Sequence, residues 1–156
     1  MNMIQYLTFS VSNERFAIDV LKVNEIIPID TITHIPSVKS YIKGVMNIRG
    51  SITPIIDMGS RLDLPKDTSS KKESIVIVSM NYDNEDTEIG FIVSKVENVF
   101  SKDINQLEST PIFGTKVEKR FIKNIAKVDH SFITILDIDE ILNLDELSIT
   151  TQDMDI

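Results

Sequence analysis

Residues 45–57 read Val-Met-Asn-Ile-Arg-Gly-Ser-Ile-Thr-Pro-Ile-Ile-Asp. Two β-rich runs, 44–48 and 52–58, flank the tripeptide Arg49-Gly50-Ser51, so this stretch predicts a β-hairpin with a tight turn. Pro54 lies inside the second run. Because proline cannot donate a ladder hydrogen bond, we expect it on an edge strand or at a bulge.

The same pattern recurs later in the chain. Residues 45–62 align without a gap on residues 125–142, which places Asp137 at the position of Asp57. A second block, 17–27, aligns on 90–100, and both copies contain Lys-Val followed by two polar and then two apolar residues. Chance could explain either block alone, but two blocks in the same order favour an internal duplication and two similar lobes.

The remaining segments predict a mainly β protein. Short apolar runs separated by turn signals are typical of a β barrel or sandwich. The segment 137–144 has helical spacing, and because Asp57 and Asp137 occupy equivalent places, we expect each of them to cap a short helix. We expect one domain over 1–156, with approximate lobes at 14–66 and 73–142 and an acidic tail at 143–156. Lobes this small are marginally stable alone, so we expect a shared buried interface and a groove beside it.

Composition excludes several functions. The chain has 156 residues, a formal net charge of −8 and no cysteine. The negative charge argues against nucleic-acid binding and against docking on an anionic membrane, and the missing cysteines exclude disulfides and thiolate chemistry. Neither a signal peptide nor an apolar run long enough for direct membrane insertion is recognisable, so we expect a cytoplasmic protein.

Catalytic and metal-binding motifs are also missing. His34 lies in a strand-like segment and His130 at a hairpin tip, and neither has the context of a catalytic base. The acidic stretch 83–86 has neither the glycine nor the closing glutamate of a calcium loop. We therefore expect no enzyme activity, no metal and no cofactor.

Residues 43–57 resemble the signature segment of the CheW family. That signature runs Gly-Val-x-Asn-Leu-Arg-Gly, followed by apolar residues, a proline and an aspartate, and this chain has Ile48 at the usual leucine. Further similarity follows in order at 16–27, 35–44, 90–99 and 121–139, so the resemblance covers about residues 4–142. The chain departs from the family at Asn124, where glycine is usual, and at Ser94, where aspartate is frequent.

The resemblance implies two five-stranded, SH3-like barrel lobes with short helices. It further implies an adaptor for bacterial chemotaxis that binds the cytoplasmic tip of a chemoreceptor (a methyl-accepting chemotaxis protein) and the regulatory domain of the histidine kinase CheA. Such an adaptor would work in receptor arrays beneath the inner membrane. The alternative is a small β-barrel enzyme or ligand-binding module with its site between the lobes.

Five positions are candidate protein-binding residues. The resemblance assigns contacts to Glu25 and Arg49, with Val23 and Ile26 as apolar neighbours on the surface. Arginine suits this role because its guanidinium binds carboxylates bidentately. Val23 and Ile26 could equally belong to the core, and Asn47 could serve the hairpin itself.

Overall fold

The structure is a computed structural model that describes residues 2–36, 39–66, 72–82, 84–109 and 116–143. The acidic tail beyond residue 143, residues 67–71 between the two predicted lobes and the first residue of the acidic stretch 83–86 lie outside these ranges. Two short α-helices are present in the described part, α1 at Met58–Arg61 and α2 at Ile138–Ile141. The strands are β1 Met3–Val11, β2 Glu14–Asp19, β3 Val23–Pro28, β4 Ile42–Ile48, β5 Ser51–Asp57, β6 Ser74–Tyr82, β7 Glu85–Val93, β8 Lys95–Asp103, β9 Ile122–Val128 and β10 Ser131–Leu136.

The strands form two five-stranded sheets, which confirms the predicted mainly β class. Sheet 1 has the order β8-β1-β2-β10-β9, and sheet 2 has the order β3-β6-β7-β5-β4. The chain crosses from sheet 1 to sheet 2 through a 3-10 turn at Val20–Lys22 and returns through Ser94, whose amide donates to the carbonyl of Ser10 over 2.9 Å.

These crossings correct the predicted lobe boundaries. Sheet 1 combines β1 and β2 with three strands from the second half of the chain, and sheet 2 combines β6 and β7 with three strands from the first half. The lobes are therefore not the continuous ranges 14–66 and 73–142. The sequence repeat shows the order of the strands along the chain, but it does not show which copy of a repeated hairpin pairs with which.

Strand register confirms the internal duplication. Ile55 pairs with Gly90 where β5 runs parallel to β7, and Ile135 pairs with Ala17 where β10 runs parallel to β2. The first sequence block aligns Ile55 on Ile135, and the second aligns Gly90 on Ala17. The two alignments were made independently, yet the residues that they equate form the same strand contact in both sheets. Chance similarity would not produce this agreement.

One apolar core joins the two sheets. Phe9 of sheet 1 and Phe91 of sheet 2 are fully buried, and their ring centroids lie 5.6 Å apart. Strand β6 is apolar on both faces because Val76 and Val78 face this shared core, whereas Ile75 and Ile77 pack in a separate cluster within sheet 2. The expected shared interface is therefore present.

Equivalent aspartates cap both helices, as predicted. The Asp57 carboxylate accepts from the amide of Ser60 at 3.4 Å, and the Asp137 carboxylate accepts from the amide of Glu140 at 3.2 Å. These bonds satisfy amides that a helix leaves unpaired at its first turn. Helix α2 is shorter than the predicted 137–144, with Leu142 as its C-cap.

Pro54 does not lie on an edge strand, because β5 lies between β7 and β4. The register shift of the β4–β5 pair falls close by, between Ile42 and Gly44. Val45 lies opposite Pro54, but its amide and carbonyl both bond Thr33, so the two residues form a non-hydrogen-bonded pair. The Pro54 nitrogen therefore faces away from β4. Pairing with β7 begins only at Ile55, so no ladder bond is lost.

Arg61 joins the two halves of the chain at the end of α1. Its side chain is buried, and its guanidinium carbon lies 4.8 Å from the ring centre of Tyr41 and 4.7 Å from that of Phe121. Its Nε donates to the carbonyl of Ile141 over 2.8 Å. The 45–62 to 125–142 alignment places Arg61 on Ile141, and the same offset places Tyr41 on Phe121. A single arginine therefore links equivalent points of the two repeats.

We expect Arg61→Ala to lower the free energy of unfolding by about 2–4 kcal/mol, because it removes a buried hydrogen bond and two stacked contacts. Urea denaturation would measure the loss. Arg120→Ala is the matched control, since Arg120 stacks on Phe121 at 4.4 Å but is partly exposed. A loss below about 1 kcal/mol is expected there, and equal losses for both variants would contradict the role given to Arg61.

Gly44 lies where β4 meets the preceding loop. Its φ is +148°, and an added Cβ would lie 2.1 Å from the carbonyl oxygen of Thr33. Asn124 is its equivalent in β9 and does not have a positive φ. An equivalent register shift precedes Gly44 in β4 and Asn124 in β9. The two repeats therefore share the shift in strand pairing, but they differ in backbone conformation at this residue.

We expect Gly44→Ala to destabilise the protein by more than about 2 kcal/mol, because it combines backbone strain with a clash against backbone atoms. The equivalent substitution Asn124→Ala should cost less than about 1 kcal/mol. Thermal and urea denaturation of both variants would test this. Similar stability of the two variants would show that the close approach to Thr33 is not a constraint.

Candidate partner-binding surface

The turn between β4 and β5 holds Arg49 at its tip, as predicted. Arg49 and Gly50 both have positive φ, 50° and 83°, which is the backbone of a type I′ turn. The side-chain oxygen of Asn47 accepts from the amide of Gly50 at 2.9 Å. Asn47 therefore stabilises the turn, which agrees with the structural interpretation of this residue.

Arg49 forms an ion pair with Glu25. Its Nη1 donates to Oε1 of Glu25, and the side chains are 61% and 34% exposed. Glu25 lies on β3, at the opposite end of the strand order from β4. Contact between them requires sheet 2 to curl until its two edges approach each other. The structure thus brings together the two charged residues that the resemblance singled out.

Glu88 is a third charged residue beside the Arg49–Glu25 ion pair, and the sequence analysis did not predict it. Its Oε2 lies 3.9 Å from Nη2 of Arg49 and accepts from the side-chain amide of Asn24 at 2.9 Å. Asn24 also donates to the hydroxyl of Ser79 over 2.7 Å. We call Asn24, Glu25, Arg49, Ser79 and Glu88 the Arg49 cluster.

Exposed apolar side chains occur on β3 and in the turn that precedes it. Ile26 is 43% exposed, and Leu21, in the 3-10 turn before β3, is 88% exposed. Val23 is half-buried and packs against the shared core. Ile26 is therefore a surface residue as predicted, whereas Val23 is partly a core residue. Leu21 was not predicted, because a single leucine in a short turn gives no periodic signal.

The Arg49 cluster is suited to recognition by charge. Arg49, Glu25 and Glu88 together carry one net negative charge, and the exposed guanidinium can bind further acceptors. In the part of the chain that the structure describes, no three His, Asp or Glu side chains are close enough to hold a metal ion. His34 and His130 are both exposed.

Fold and surface together define a two-lobed β protein with the features of a protein-binding module. No helix within the described ranges is long and apolar enough to cross a membrane.

Comparisons with known proteins specify the family. Residues 5–146 match the CheW-like domain. The chemotaxis protein CheW of Klebsiella aerogenes is 30% identical over 145 residues, covering 93% of this chain and 85% of that protein. The chemotaxis protein CheW of Bacillus subtilis is 31% identical over 137 residues, which cover 88% of this chain and 85% of that protein. The crystal structure of the scaffolding protein TtCheW from Thermoanaerobacter tengcongensis superposes with a TM-score of 0.77 at 32% identity, covering 86% and 84% of the two chains.

The chain belongs to the CheW family. The predicted role as a chemotaxis adaptor is confirmed by these relatives, and an enzyme or ligand-binding module is not favoured.

Proposed function

We propose that this chain couples the cytoplasmic tips of chemoreceptors to the regulatory domain of the kinase CheA, at receptor arrays on the cytoplasmic side of the membrane. The observation that carries this proposal is the exposed Arg49–Glu25 pair on a CheW-family fold. The pair offers a partner both a donor and an acceptor, and Ile26, the next residue of β3, is an exposed apolar side chain. Protein interfaces obtain much of their binding energy from a few side chains, among which arginine is enriched.

Coupling of this kind needs no chemistry in the chain itself. A receptor tip helix would lie in or beside the groove between the lobes, as in helix-in-groove recognition. The common core and Arg61 connect the two sheets, so the chain would act as a spacer that keeps its two lobes in fixed relation. Signal would then pass as a change in the placement of the partners around it.

We expect Arg49→Ala and Glu25→Ala to weaken binding to one of the two partners, with a loss of about 30-fold for Arg49→Ala if it is an interface hot spot. Titration calorimetry against the CheA regulatory domain and against a receptor tip fragment, measured separately, would identify that partner. Circular dichroism would verify folding. Arg15→Ala is the matched control, because Arg15 forms a similar exposed ion pair with Glu97 in sheet 1 at 3.1 Å.

Three results would count against the proposal. If the wild-type chain binds neither partner, it does not couple these two proteins. Wild-type affinity of both folded variants for both partners would remove the Arg49 cluster from the contact surface. Hydrolysis of ATP or phosphotransfer by the purified chain would contradict a role without chemistry.

A further inference from the structure

The guanidinium of Arg49 is held unequally by its two carboxylates. Glu25 accepts a direct hydrogen bond from Nη1, but the 3.9 Å between Nη2 and Glu88 exceeds hydrogen-bonding distance. Arg49 is also 61% exposed, so part of its donor set faces solvent. The Nη2 edge of the guanidinium is therefore attracted by Glu88 without being bonded to it.

Asn24 holds Glu88 at this distance. Its side-chain amide donates to Glu88 over 2.9 Å and to Ser79 over 2.7 Å. Ser79 and Glu88 lie opposite each other in the β6–β7 ladder, so Asn24 connects β3 to a fixed point of the neighbouring strands. Without that bond, rotation of the Glu88 side chain could shorten the gap to Arg49 and form a second charged hydrogen bond.

We propose that Glu88 is an internal competitor for Arg49, restrained by Asn24, and that it sets the affinity of this surface for a carboxylate of the partner. The inference rests on the function proposed above. A guanidinium edge with free donors matches a carboxylate in geometry and charge. The negative charge of Glu88 would also repel an incoming carboxylate. The bond from Asn24 to Glu88 therefore determines whether the Nη2 donors of Arg49 can bind the partner's carboxylate.

The test is a set of three variants, measured by calorimetry against the partner that Arg49→Ala weakens. Glu88→Gln keeps the length of the side chain and an acceptor for Asn24 but removes the charge, and it should bind about two- to fivefold more tightly than wild type. Asn24→Ala releases Glu88 and should bind more weakly by a similar factor. The double variant should bind like Glu88→Gln, because a neutral side chain no longer competes.

Two comparisons separate this role from a purely structural one. Glu85→Gln removes an exposed charge at the start of the same strand and should leave the affinity unchanged. The gain from Glu88→Gln should also shrink at high salt, since it arises from screened charge repulsion. A change in packing would persist across salt concentrations.

The inference is overturned if Glu88→Gln binds as wild type or more weakly while Arg49→Ala still loses affinity. It is also overturned if Asn24→Ala weakens binding equally in the wild-type and Glu88→Gln backgrounds. Wild-type affinity of Arg49→Ala for both partners would instead remove the proposed contact surface, and the role of Glu88 with it.

Discussion

Parallel pairing of β7 with β5 and of β2 with β10 makes each sheet depend on both halves of the chain. Neither half contains a complete sheet, and each five-stranded lobe is small enough to be marginal alone. The exchange of hairpins joins the lobes through the backbone, and the shared core joins them through side chains. Arg61 adds a polar connection at equivalent positions of the repeats.

The Arg49 cluster also depends on strands from both halves of the chain. Asn24 and Glu25 come from β3, Arg49 from the β4–β5 turn, and Ser79 and Glu88 from the β6–β7 hairpin. The ion pair of Arg49 with Glu25 exists because sheet 2 curls, and the position of Glu88 is fixed because the exchanged hairpin completes that sheet. Loss of the hairpin would thus remove part of the surface as well as part of the core.

Sequence patterns predicted the features that depend on neighbouring residues. The Arg49 turn and the caps at Asp57 and Asp137 follow from local chemistry and were confirmed. The duplication was also visible, because equivalent strands keep the same apolar pattern. The family resemblance, in turn, named Glu25 and Arg49 as candidate contacts, but it did not predict that they pair with each other.

Features that depend on pairing between distant strands could not be predicted. The lobe boundaries were wrong because a repeat does not reveal that its hairpins are exchanged. Glu88 was missed because only the β6–β7 register places it opposite Ser79, and only the pairing of β3 with β6 brings Asn24 to both. Periodicity alone could not assign Val23 and Ile26 to core or surface, because Ile26 and Ile27 are both apolar and the sequence does not show which of them faces inward.

The repeat conserves the core of the two lobes but not their polar surfaces. The turn that presents Arg49 in sheet 2 presents Asp129 in sheet 1, with nearly the same φ of 50° and 49°. The offset of the second alignment, extended by two residues, places Arg15 at the position of Glu88. Equivalent sites on the two lobes therefore carry opposite charges, so one partner group cannot satisfy both. Divergence of the polar residues has therefore given the two duplicated lobes unlike surfaces on a fixed frame.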